Sequence, residues 1–365
     1  MAFGDASVDR RAEVAYFAAV AAASRNECLQ WFYLNSAAPA AQVAEDLPLW
    51  LLGFDATLEP RAPTDRLPLG RAFGEHGAIL VSRSSWDLKS TPCVVYGKAG
   101  IEHNHEHHDA GQVCIDGYGR RLIVDLGSPS GYPADFFGAD RWQYYNASWT
   151  GHNVVTIDGA EMDAPRGACA KIVAAAFDDR WGGYWQLDLT SMVPGGQRVV
   201  RTVAHLTPGV AAVVDEVALD ADQRMSLRWH TIDQATPQAD GSFEVRADNV
   251  RLAGRVLALD GQQLTLSRGQ HSYLSPYDTD RTGAKLDQRR ESFLLVRPTS
   301  STARILTLYA VLPPHAPRTE WESSADGYRI RTPAGAVVVS VGDGNLEVKA
   351  IGSERGWRIP LQIRF

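Results

Sequence analysis

The hydrophobic period of the chain changes once along its length. Over residues 7–35 apolar positions recur at helical spacing, with Val14, Phe17, Ala18 and Ala21 on one stripe. Ser7 or Asp5 can cap this helix, and Asp9 falls in its first turn. The Ala-rich middle and the Trp31-Phe32-Tyr33 cluster predict packing against another helix. Residues 40–52 predict a second, short helix that stops before Gly53, and the Pro-bearing residues 60–69 read as a linker. From Arg71 onward the period is two. GAILVSRSSW, TPCVVYGKAG, QVCIDGYG, RRLIVDLG, HNVVTIDG and the runs that follow to NLEVKAIGS are short, apolar and broken by Gly, Pro and Asp. Such runs without intervening helices predict stacked antiparallel sheets. About seventeen to twenty of them exceed one ordinary sandwich. The expected fold is therefore mainly β: a large multi-sheet antiparallel β-sandwich preceded by a short α-helical segment. Residues 1–59 form the helical segment, 60–70 the linker and 71–365 the sandwich, with a further division near 315–325.

Composition narrows the partners. The 365 residues are 45% hydrophobic and 22% charged, which suits an ordinary globular chain. With 36 basic and 43 acidic residues the net charge is −7, so there is no general basic footprint and no nucleic-acid partner is expected. An acidic polymer would need a local patch of Arg and Lys. No run is long enough to span a bilayer, so no membrane partner is expected either. The start, MAFGDASVDRRAEVAYF, has no apolar core and no small-residue cleavage site, and is not a secretory signal. Cys28, Cys93, Cys114 and Cys169 are scattered without the spacing of a metal knuckle and read as buried free thiols.

The chemistry concentrates after residue 100. Of ten histidines, His103, His105, His107 and His108 fall within six residues. On an extended segment His103, His105, His107 and Asp109 share one face, with alternate imidazoles roughly 6–7 Å apart at their bases. One cavity can then hold one ring on a metal and the next on a substrate. Downstream, RRLIVDLG delivers Asp125 at a strand end, and GHNVVTIDG opens a further strand with His152. Two imidazoles and a carboxylate from separate strands make a zinc set with a position left over.

These residues also carry a family pattern. The order H-x-H-x-D-A-G (His105 to Gly111), G-x-x-L-x-x-D-x-G (Gly119 to Gly127), a Tyr-rich connection and His152-Asn153-Val154-Val155 resembles the heparinase II/III-like polysaccharide lyases. LPLWLLGFD, VSRSSWD and RVVRTVAHLTPGVAAVVDEV extend the resemblance over most of the chain. The resemblance implies the later part of such an enzyme, with the helical segment as a remnant of an α/α toroid that is mostly missing. It implies that His105 is the catalytic histidine and that His107, Asp125 and His152 bind one zinc ion, mainly structural, which fixes the strand and so aims His105. It implies β-elimination on uronic-acid glycans, in glycosaminoglycan or alginate degradation, and a bacterial periplasmic or secreted setting. The expected partners are an acidic polysaccharide and either the missing toroid or a second copy of the chain.

Lyases of this kind remove the C5 proton of a uronate and expel the oxygen at C4, so they need a base, an acid and a neutralised carboxylate. The family's tyrosine usually comes from the toroid, and the short helical part offers no match. Tyr132, Tyr144 and Tyr145 in the connection before His152 are the candidates for the cleft, although aromatic packing under a loop is an equal alternative. Arg83 and Trp149 are candidate substrate contacts, as is Trp142, against their ordinary roles of solvated cation and core ring. Asp109 is expected to orient a histidine. Two readings from other classes stand beside the lyase. One is a non-catalytic carbohydrate-binding β-sandwich with a structural zinc. The other is a zinc hydrolase, since HEHHD resembles the H-x-H-x-D-H motif of metallo-β-lactamase folds. Against the hydrolase, Ala110 stands where the last His is required, and β/α alternation is absent.

Overall fold

The computed structural model describes residues 14–36, 53–74, 78–87, 89–100, 107–127, 135–158, 168–273, 290–324 and 327–361. The single helix expected over residues 7–35 is two helices, α1 (Val14–Ser24) and α2 (Glu27–Ser36), with residues 7–13 outside the described residues. Between them Arg25 takes a left-handed φ of 53°, and the Asn26 side chain accepts a hydrogen bond from the Leu29 N–H at 2.9 Å. An asparagine cap satisfies an otherwise orphaned helix N–H, so the chain restarts there rather than continuing. The helix expected over 40–52 lies outside the described residues. Residues 54–69 contain no helix or strand and are tied back by Arg25–Asp55 and Arg66–Glu27 ion pairs, both at 2.6 Å. Among the described residues no helix is long and apolar enough to cross a membrane.

Everything after residue 69 is built on strands, numbered here in chain order. The first sheet has nine: β1 (Gly70–Phe73), β2 (Ile79–Arg83), β3 (Val94–Lys98), β4 (Val113–Gly117), β5 (Arg120–Ile123), β6 (Val155–Ile157), β11 (Met225–Thr231), β14 (Leu264–Ser272) and β15 (Arg290–Pro298). Its order is β1-β2-β3-β4-β5-β11-β15-β14, with β6 also paired to β11. The second sheet has seven: β7 (Lys171–Asp178), β8 (Gly182–Asp188), β9 (Gly196–Leu206), β10 (Val210–Leu219), β12 (Ser242–Ala247), β13 (Val250–Ala258) and β16 (Thr302–Leu312). A third sheet of five is a simple meander: β17 (Glu320–Ser324), β18 (Gly327–Thr332), β19 (Gly335–Gly342), β20 (Asn345–Ala350) and β21 (Gly356–Pro360). All pairings are antiparallel, as the period-two pattern requires.

The second sheet is the middle layer, and its sequence says why. Ala211, Val213 and Val217 of β10 join Leu80, Val95, Ile115 and Trp229 in the core against the first sheet. Their neighbours Val210, Ala212 and Val214 join Ile330, Val339, Leu346 and Val348 in a second core against the third sheet. Alternate residues of a strand face opposite ways, so a strand buried on both sides must be apolar at nearly every position. GVAAVVDEVAL is such a run, and β16 is another. All four cysteines are free thiols; Cys93 and Cys114 are buried, whereas Cys28 and Cys169 are only half-buried.

Among the polar groups closed inside these layers are Arg201 and His205. Arg201 of β9 has no exposed surface and pairs with Asp215 of β10, Nε to Oδ1 at 2.7 Å. Its Nη1 donates to the Gly111 carbonyl at 2.7 Å and to the Asn153 carbonyl, and its guanidinium lies 5.3 Å from the Trp229 ring. Removing one partner of such a pair strands a charge out of reach of water. Asp215→Ala is expected to cost about 3–5 kcal/mol in chemical denaturation; a loss below about 1 kcal/mol would mean that the carbonyls alone carry the cation.

His205 of β9 is also fully buried, with Nδ1 2.8 Å from Ser82 Oγ of β2. Burial pushes its pKa down to about 4. The unfolded chain takes up this proton near the ordinary value of about 6.5, while the folded chain does not. The contribution of this site is therefore complete above about pH 6.5 and is lost as pH falls toward 4, by up to about 1.4 kcal/mol per pH unit. Urea unfolding at several pH values across that window should show the slope, and His205→Gln should flatten it. Identical slopes in the two proteins would assign the acid sensitivity elsewhere.

Candidate metal centre and the sheet face beside it

Three chain segments at the ends of first-sheet strands converge on one buried point. The turn entering β4 carries His107, His108 and Asp109, Asp125 follows β5, and His152 follows a 3₁₀ turn (Trp149–Gly151) that leads into β6. The turns are tight enough to fix their residue types. Gly111 has a φ of +93°, and a Cβ at Gly151 would lie 1.9 Å from the Tyr145 carbonyl oxygen. Backbone bonds lock the approach: His108 N donates to Ala147 O at 2.9 Å, and Gly127 N donates to Asp125 Oδ1 at 2.8 Å.

His107, Asp109, Asp125 and His152 all have 0% exposure. One ligand-type atom each from Asp109, Asp125 and His152 lies within 4.8 Å of the other two. His152 Nε2 is 3.6 Å from Asp125 Oδ2, and the His107 ring sits edge-on to the His152 ring at 5.3 Å between centroids. The expected ligands His107, Asp125 and His152 are thus neighbours. Asp109 is among them too, where the sequence pointed only to a role in orienting a histidine. Its Oδ1 is 2.6 Å from the ammonium of the buried Lys98.

The electrostatics of the set suit a cation. Burial, followed by the nearby Asp109 charge, raises the Asp125 pKa to about 6. Burial lowers that of His152 to about 4, against the opposing pull of Asp109. His152 Nδ1 donates to the Ser148 carbonyl at 2.8 Å, which leaves Nε2 with its lone pair directed at the cluster. Among the described residues His152 Nε2, Asp125 Oδ2 and Asp109 Oδ2 are buried without a hydrogen-bond partner. Buried polar atoms are normally paired, so three orphans aimed at one point fit a metal ion.

Asn153 ties this centre to the adjoining sheet face. Its Nδ2 donates to the carbonyls of Val113 and Val124 at 2.9 and 3.0 Å, and its N–H donates to Gln112 Oε1 at 2.5 Å. Its Oδ1 accepts from the backbone N–H of His230 at 2.6 Å and lies 3.1 Å from His230 Nδ1. His230 Nε2 in turn lies 2.9 Å from the Tyr145 hydroxyl, and the Tyr145 ring stacks on His271 at 3.8 Å and 7°. Sequence reading missed His230 and His271. In MSLRWHTI the signal was present: Trp229 points to the core, so its neighbour His230 must face the other way.

The remaining candidates divide as follows. His103, His105 and Tyr132 lie outside the described residues. Tyr144 is buried, with its hydroxyl on Asp135 and its ring 4.9 Å from Phe136. Tyr145 is half-buried and has burial, above all, raising its phenol pKa. Trp149 is buried and stacked parallel to His108 at 5.5 Å, and Trp142 approaches the same ring at 3.7 Å. Arg83 holds its guanidinium over the Trp86 ring at 4.1 Å, and no contact among the described residues links it to the metal cluster.

The fold has close counterparts among solved structures. A structure described as a heparinase III gene product superposes with a TM-score of 0.67 at 16% identity, covering 99% of this chain and 49% of that one. Heparan sulfate lyase HepC from Pedobacter heparinus gives 0.66 at 17% identity, covering 100% and 50%. A further heparinase III gives 0.57 at 15%, covering 88% and 48%. The chain thus spans about half the length of these proteins. No curated protein matches it by sequence. Residues 91–339 match the family model described as heparinase II/III-like, C-terminal, and so take in every strand end that builds the metal cluster. The chain belongs to the heparinase II/III-like family and represents its C-terminal β-sandwich.

Proposed function

We propose that this chain is the sandwich part of a polysaccharide lyase that cleaves uronic-acid-containing glycans by β-elimination. The observation that carries the reading is the closed set of ligand atoms from Asp109, Asp125 and His152 beside His107, in a chain of this family. The neighbours named for heparinase III and heparan sulfate lyase point to an acidic polysaccharide as substrate, a glycosaminoglycan or alginate. Because the chain spans about half their length, a helical toroid or a second copy of the chain completes the cleft. A periplasmic or secreted setting, which the family resemblance implies, is part of the same proposal.

The residues divide the work. His107, Asp125 and His152 hold one zinc ion, which supplies a fixed positive charge that holds their three segments together. Ser148 orients His152 through its carbonyl, and Gly127 orients Asp125 through its N–H. His105, which lies outside the described residues, is by the family resemblance the histidine that meets the substrate at C5 or its carboxylate. Of the two described candidates Tyr144 and Tyr145, Tyr145 is the one with partial exposure.

Metal analysis of the purified protein should find one zinc, lost in His107→Ala and His152→Ala and kept in Asp109→Asn. Loss in Asp109→Asn with retention in His107→Ala would exchange the third ligand. Incubation with uronic polysaccharides, with the helical half supplied, should raise ultraviolet absorbance, because elimination alone creates the conjugated unsaturated uronate. His105→Ala should abolish that rise with zinc content intact. Binding without unsaturated product from wild type would leave a carbohydrate-binding module, and cleavage without unsaturation would leave a hydrolase.

A further inference from the structure

The sheet face beside the metal cluster carries a second set of reactive groups. On β11, Arg228 and His230 face away from the core; on β15 so does Phe293, and on β14 His271 shares that face. The ring of Phe293 lies where a side chain at Gly269 would stand, with ring atoms 2.3 Å from a Cβ placed there. Tyr145 descends onto this face from the connection before His152. Its ring covers His271, and its hydroxyl meets His230 Nε2 at 2.9 Å. His230 has no exposed surface, whereas Tyr145 and His271 are half-buried. Tyr145 is the member of the pair that a ligand can touch.

The hydrogen-bond network fixes which way the protons point. Asn153 Nδ2 donates to two carbonyls, so its Oδ1 can only accept, and it faces His230 Nδ1 at 3.1 Å. His230 therefore carries its proton on Nδ1 and offers the Nε2 lone pair. The Tyr145 hydroxyl must donate to that lone pair, which turns the phenol oxygen's own lone pairs outward. This is the arrangement by which a serine is readied by a histidine held through its other nitrogen.

We infer that Tyr145 and His230 form a proton-transfer pair, with His230 held in the Nδ1–H tautomer by Asn153 and Tyr145 serving as the base of the elimination. This rests on the lyase reading above. As the Tyr145 oxygen takes the C5 proton, its own proton passes to His230 Nε2. The C5–H electron pair becomes the C4–C5 double bond, and the C4–O bond breaks with its pair on the leaving oxygen. The proton then returns from His230 to Tyr145, and Tyr145 gives a proton to the leaving oxygen. Both residues end as they began, and the net change is one proton moved from C5 to O4. Burial disfavours charge on both groups, so the pair rests neutral and transfers only as the C5 proton arrives.

The test reads the pair with and without turnover, on the full chain. Nitrogen NMR of ring-labelled histidines should show His230 protonated at Nδ1 with a hydrogen-bonded, unprotonated Nε2. In Tyr145→Phe the Nε2 resonance should move to the position of a free imidazole nitrogen. A protonated Nε2, or no change in Tyr145→Phe, would overturn the pair whether or not the chain is active. In the elimination assay His230→Gln, which preserves hydrogen bonding without accepting a proton, should lower kcat about 100-fold or more with KM little changed. Full kcat in His230→Gln alongside a dead Tyr145→Phe would overturn the relay and leave the lyase reading standing. If wild type with the helical half supplied yields no unsaturated product, the lyase reading fails and the tautomer measurement alone decides the pair.

Discussion

A primary amide can be buried only if every donor and acceptor on it is matched, and Asn153 meets that condition completely. Its side chain bridges the carbonyls of the first residue of β4 and the residue after β5 to the backbone of β11, and its backbone carbonyl accepts from Arg201. The cost of leaving any of these groups unpaired is about 1–3 kcal/mol each, so the residue acts as a pin with one permitted position. His152 precedes it and Val124 precedes Asp125, so the pin sets where two of the metal-site side chains start. The same pin sets the tautomer of His230. One residue type at one position thereby couples the metal cluster to the Tyr145 face.

The layered architecture is what makes such a pin stable. Arg201 reaches from the middle sheet into the first, and a guanidinium can stand there only because Asp215 neutralises it and two carbonyls saturate its Nη1. Those carbonyls belong to Gly111 and Asn153, which lie two residues beyond Asp109 and one beyond His152. Arg201 and Asp215 are both buried, with Val199 and Val203 of the same strand as Arg201 beside them in the core, so the electrostatic attraction of the pair is little screened. The site is accordingly held from behind by the core rather than by the loops in front of it.

Much of this was legible beforehand because the information was local. Period-two runs declared the strands, and near-continuous apolar runs at β10 and β16 carried the mark of two-sided burial. The pattern around His107, Asp125 and His152 named the family and grouped three side chains that the structure brings together. The illegible parts depend on pairing between distant segments. Nothing near Lys98 in sequence predicts that it neutralises Asp109, because the two meet only when β3 and β4 pair. His230 and His271 become neighbours of Tyr145 only through the β11-β15-β14 order, which no periodicity reveals. The break at Arg25-Asn26 is different: it turns on one left-handed residue and one side-chain cap, which helical periodicity does not register.

The charge balance of the cluster bears on its substrate. Among the described residues two carboxylates, Asp109 and Asp125, face one ammonium, Lys98, around a histidine that burial keeps neutral. That leaves the set one negative charge in excess, which a chain of net charge −7 does nothing to relieve. A divalent cation reverses the sign, and in a dry interior the resulting positive field is only weakly screened. An anionic sugar approaching Tyr145 would then meet that field from below and the Arg228 guanidinium at the sheet face. On the proposed reading, a metal ion held by this set and the Arg228 guanidinium would together make the local cationic patch that composition alone fails to supply.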